Sequence, residues 1–206
     1  MRRHNICGER FVKILSLLLF ASIAVQAQQI TPLEVKEIRL GVAGAPEVME
    51  RFPGALVLKT SILVDLEFVA REKCGPSMQV NECRLSAMDD LRLAGATVGT
   101  YYFYLLDDKV ESVSVSFHIN GYKLVRDALT VKYGKPTDET INTVQSRAGA
   151  SFQSESLSWN RADGNISLVE RSAEIERSAV VMSTKKYLTH TEEREKRQSV
   201  EGAQKL

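Results

Sequence analysis

The residues that could do chemistry are few, and their spacing argues against an active centre. Histidine occurs at His4, His118 and His190. None has a second histidine or a cysteine at metal-ligand spacing, so no zinc site is expected. A serine nucleophile needs a base and a strained elbow, and no Gly-x-Ser-x-Gly occurs. His118, two residues after Ser116, reads as the end of a strand. Asp89-Asp90 and Asp107-Asp108 are adjacent acids of the kind that turns leave in water, and Asp107-Asp108 lacks the ligand periodicity of a calcium loop. No glycine-rich phosphate loop is present. The expectation is therefore a chain with no catalytic residues, no cofactor and no metal.

Cysteine chemistry is of a different kind. Cys7 precedes an apolar run, whereas Cys74 and Cys83 flank an eight-residue loop containing Gly75 and Pro76. An even pair in an exported chain favours a disulfide between Cys74 and Cys83, worth on the order of 2–3 kcal/mol for a loop this short.

Export is read from the first 27 residues. Arg2, Arg3, Arg10 and Lys13 form a basic region, Ile14 to Val25 an apolar one, and Val25-Gln26-Ala27 supplies a cleavage site. The apolar run falls short of the roughly 20 residues that a spanning helix needs. Residues 1–27 are expected to be a signal peptide, and the mature protein to be periplasmic or secreted, with no membrane span. The leader carries four basic side chains and one acid, so a 206-residue chain at +1 becomes 179 residues at −2. That balance gives no basic stripe for nucleic acid, and the length suffices for one domain or two small ones.

The elements follow from periodicity. Val98 to Leu106 and Val110 to Phe117 read as a hairpin around Asp107-Asp108-Lys109. Its second strand alternates Val113, Val115 and Phe117 with Ser112, Ser114 and Ser116. Its first strand is apolar on both faces: Tyr101, Phe103 and Leu105 on one, Tyr102, Tyr104 and Leu106 on the other. A short helix runs from Pro46 to Phe52 and stops at Pro53-Gly54. A second opens at Asn120 or Gly121, presents Leu124, Val125, Ala128, Leu129 and Tyr133, and ends at Gly134. Ile62 to Arg71 alternates as a strand, Thr137 to Ser154 reads as a polar loop, and Leu157-Trp159 and Ile166-Leu168 form another hairpin around Asp163-Gly164. Ser178 to Ser183 is a last strand, and residues 185–206 are a charged tail, helical or disordered.

The fold class expected is α+β: an antiparallel sheet with short helices on one face. Two helices that each end in an aromatic residue beside glycine, each followed by about three strands, suggest a tandem duplication. Its units would be 28–118 and 119–184. Leu40-Gly41-Val42 with Pro46-Glu47-Val48-Met49-Glu50-Arg51-Phe52-Pro53-Gly54, and the similar ending Tyr133-Gly134-Lys135-Pro136, resemble bacterial envelope proteins of the β-lactamase-inhibitor-protein-like type. That group includes the small outer-membrane lipoproteins of the barrel-assembly machinery. The resemblance implies helices on one sheet face and a second face that binds protein. The chain departs from the lipoproteins in lacking a lipid-attachment cysteine, and in Val42 where methionine is more usual.

The function expected is a non-enzymatic interaction module that holds another envelope protein through aromatic side chains. Tyr101, Tyr102, Tyr104 and Trp159 are the candidate anchors. A small carrier, binding an apolar or peptide ligand between sheet and helices, is the alternative.

Overall fold

The computed structural model describes residues 31–65 and 92–203. The expected leader, the cystine of Cys74 and Cys83, Asp89-Asp90 and the end of the strand from Ile62 lie outside the described residues.

Among the described residues, ten strands and three α-helices make an α+β architecture. The lead before the first helix is a small hairpin, β1 (Glu34–Val35) and β2 (Ile38–Arg39), closed by Lys36 and Glu37 at positive φ. Helix α1 (Ala45–Arg51) follows, and the Glu47 carboxylate accepts from the Gly44 N–H at 2.9 Å, satisfying a donor at the helix start. Those backbone bonds hold the Glu47 carboxyl below its ordinary pKa.

Strands β3 (Leu56–Val57), β4 (Ser61–Asp65), β5 (Val98–Leu106) and β6 (Lys109–His118) come next. The β5–β6 turn places Asp107 and Asp108 both at positive φ, the geometry that matches strand twist in a two-residue hairpin loop. A 3₁₀ turn (Ile119–Gly121) leads into α2 (Tyr122–Tyr133). A Cβ on Gly121 would sit 2.3 Å from that of Ala96, so the helix can start here only on glycine. Then come β7 (Asp138–Gln145), β8 (Ser151–Arg161), β9 (Gly164–Val169), β10 (Arg177–Thr184) and α3 (Lys185–Ala203).

Strands β3 to β10 form one antiparallel sheet in the order β3-β4-β5-β6-β10-β9-β8-β7. Among the described residues the order is a mirror: β3 to β6 run in chain order from one edge, β7 to β10 from the other, and β6 and β10 meet in the middle. Four described strands follow each of α1 and α2, where about three were expected. The missing one in the second half is β7, in the stretch read as a loop. Its sequence, Asp-Glu-Thr-Ile-Asn-Thr-Val-Gln, has no apolar alternation because an edge strand exposed on both faces requires none.

One sheet face carries the core. Cross-strand neighbours share a face, and the buried set runs Val64–Tyr101–Val115–Val180–Leu168–Leu157, with Ile62–Phe103–Val113–Met182–Ile166–Trp159 beside it. Helix α1 closes one half through Val48 and the capping Phe52, whose ring centroid lies 5.3 Å from Tyr101 and 5.6 Å from Phe103. Helix α2 closes the other through Tyr122, Val125 and Leu129. Leu124 and Ala128, expected on that stripe, point to solvent: the buried spacing starts at Tyr122. The Trp159 indole N–H donates to the Gly134 carbonyl at 2.8 Å, tying the end of α2 to β8. Gly134 itself adopts φ +87°, a left-handed exit that a side chain would strain.

Candidate functional site

The opposite face is built from the other residue of each alternating pair. Tyr102 stands beside Ser114 and Leu63, and Tyr104 beside Ser112 and Ser61. Farther across, Ser114 and Ser116 adjoin Val181 and Ala179, then Ser167 and Val169, then Ser158 and Ser156. Those side chains are half-buried. The face is thus a field of small hydroxyl and aliphatic groups with an aromatic pair near one side. The Tyr102 and Tyr104 rings stack at 6.4 Å between centroids.

Helix α3 reaches this pair. Thr184 ends β10 and caps the helix, its hydroxyl accepting from the Tyr187 N–H at 3.2 Å. That places the Tyr187 ring 5.9 Å from Tyr104. The Thr184 hydroxyl in turn donates to the buried Glu111 carboxylate. Lys186 bridges Asp107 at 2.8 Å and Glu111 at 3.5 Å. Its ammonium holds the Asp107 carboxyl below the ordinary carboxylate value, and Asp107 raises the Lys186 pKa in return. Burial, then the neighbouring tyrosine, raises the phenols of Tyr104 and Tyr187. Tyr102, Tyr104 and Tyr187 are all half-buried, each ring keeping part of its surface in water.

The four expected anchors separate. Tyr102 and Tyr104 lie on this half-exposed face. Tyr101 is 0% and Trp159 1% exposed, both on the core face under α1 and α2. A side chain without exposed surface cannot anchor a partner unless the core opens, so these two belong to folding. Tyr187 joins the site from a helix that sequence reading left as tail; its aromatic character beside a strand end was the available signal.

Polar groups at the start of α2 hold local structure. His118 Nδ1 accepts from the Asn120 N–H at 3.3 Å, capping the 3₁₀ turn. The Tyr122 hydroxyl donates to Glu155 at 2.6 Å, and Arg126 pairs with the same oxygen at 3.1 Å, fastening α2 to β8. Burial, then that carboxylate, pushes the Tyr122 phenol far above its ordinary pKa. Among the described residues no group of three or more His, Cys, Asp or Glu side chains could hold a metal ion. Nor is any helix there long and apolar enough to cross a membrane. Comparison with protein-family models, characterised proteins and solved structures finds no match to the chain.

Proposed function

We propose that this is an exported envelope protein that acts without catalysis, holding another protein on the sheet face opposite α1 and α2. The observation that supports the reading is the composition of that face. Tyr102 and Tyr104 stack, half-exposed, beside a broad area of serine. Tyrosine offers a rigid ring and a wet hydroxyl at small conformational cost, and serine offers adaptable hydrogen bonding; recognition surfaces favour that pairing. A face meant only for solvent needs no aromatic pair, and a face meant for core would not carry serines in the next strand. The resemblance to β-lactamase-inhibitor-protein-like envelope proteins adds an expectation of the same kind.

The test is the double substitution Tyr102→Ser/Tyr104→Ser in the mature chain, used as bait in the native envelope beside the parent. The parent is expected to retain a partner that the variant loses, with melting temperatures within a few degrees of each other. Capture of the same partner by both chains would remove the tyrosine face from the function. Conversion of substrate by the purified protein would remove the non-catalytic reading.

A further inference from the structure

We infer that β7 is an interface between two copies of this chain, joined antiparallel about a two-fold axis at Asn142. The strand is the outer edge of the sheet, and among the described residues no strand pairs with its free side. Seven of its eight residues are exposed, and Val144 is half-buried. Edges of this length are usually guarded by proline, lysine or a bulge. Here the register against β8 runs unbroken from Asp138 to Gln145, and the strand contains neither lysine nor proline.

The backbone direction can be assigned. The Glu170 N–H donates to the Glu155 carbonyl at 2.8 Å, so Glu155 turns its backbone toward β9. Alternation then turns Ser154 and Ser156 toward β7, where they meet Asn142 and Thr140. The Ser146 N–H, donating to Ala150 at 2.8 Å, fits the same phase. Glu139, Ile141, Thr143 and Gln145 therefore direct their N–H and C=O groups outward.

A two-fold at Asn142 pairs all four of these residues. Glu139 lies opposite Gln145 of the second copy, and Ile141 opposite Thr143. Like charges are nowhere opposed across these pairs. Ile141, 64% exposed, gains a methyl-bearing neighbour. The two Asn142 side chains meet at the axis, where amides can bond to each other. At the far edge β3 has two residues and offers no comparable length. The same strand from two copies thus supplies its own complement, which favours a second copy over an unrelated peptide. The tyrosine face is not used, so the inference stands apart from the proposed function.

Sedimentation of the mature chain should show a concentration-dependent dimer. Asn142→Cys should cross-link under mild oxidation, because residues at a non-hydrogen-bonded pair approach to about 4.5 Å between Cα atoms. Gln145→Cys should not cross-link beyond the parent, since it lies six strand positions from its mate. Thr143→Pro deletes an outward donor and leaves the β7–β8 ladder intact, so it should be monomeric with an unchanged circular dichroism spectrum. If that variant misfolds, Ile141→Lys at the exposed position gives the same reading. A parent that stays monomeric at every soluble concentration overturns the inference, including one whose β7 edge takes an extended peptide. So does a dimer that survives Thr143→Pro or Ile141→Lys without preferential cross-linking at 142.

Discussion

At the scale of single residues, aromatic side chains of one hairpin divide between folding and contact according to parity. Tyr101 and Phe103 meet Phe52; Tyr102 and Tyr104 meet serines and Tyr187. Parity was legible because Val113, Val115 and Phe117 alternate so regularly with serine. What sequence could not show was which way Trp159 faces, since its strand partners Ile166 and Leu157 are distant or ambiguous until the register is known. Trp159→Phe keeps most of the ring but leaves the Gly134 carbonyl without its donor, so it should cost roughly 1–3 kcal/mol in denaturant unfolding. Burial pushes the phenols of Tyr101 and Tyr122 above the ordinary tyrosine value. A phenol neutral in the fold and ionisable in the open chain stabilises fully below about pH 10, and that contribution is lost as pH rises further. Ultraviolet titration should therefore find Tyr101 and Tyr122 ionising only together with unfolding. Smooth ionisation of every tyrosine in a chain that keeps its native spectrum would contradict their placement.

Elements were legible in proportion to how much apolar surface they bury. The hairpin β5–β6 and helix α2 announce themselves by period; β7 buries almost nothing and left no apolar trace, and α3 is polar nearly all round. Helix α3 depends on its first turn, where Thr184 caps it and Lys186 pairs with Asp107 and Glu111. The Asp107 carboxyl is depressed, so its contribution is present above the ordinary carboxylate pKa and fades as pH falls through the lower folded value. Acidification below about pH 4 should release Tyr187 from Tyr104, read as loss of ring-to-ring NMR contacts before the sheet unfolds. Persistence of those contacts in Lys186→Met at low pH would show that the ion pair does not hold the turn. The β5–β6 turn carries a different cost. Asp108 sits at φ +59°, where a side chain is disfavoured by about 1 kcal/mol, so Asp108→Gly should raise the melting temperature by a few degrees.

For the whole molecule, the sheet is continuous across both halves, and the seam between β6 and β10 has seven paired positions. Ser112 and Ser183 share a buried hydroxyl contact at 2.7 Å in that seam. Ser112→Ala should cost about 1–3 kcal/mol by stranding its partner, and Ser112→Ala/Ser183→Ala less than the two singles together. The seam also dictates a schedule. Val113, Val115 and Phe117 leave the ribosome with β6, yet the strand that completes their sheet ends at Thr184, 66 residues behind His118. At about 5–20 residues per second, β6 waits roughly 3–13 s as an unsealed border of a half-built sheet. Newly made chain is thus at its most adhesive in its middle and remains so until its last strand arrives. A purified chain cut after residue 134, which keeps β6 but lacks β10, should aggregate at concentrations where the chain through residue 203 stays dispersed, as light scattering would show.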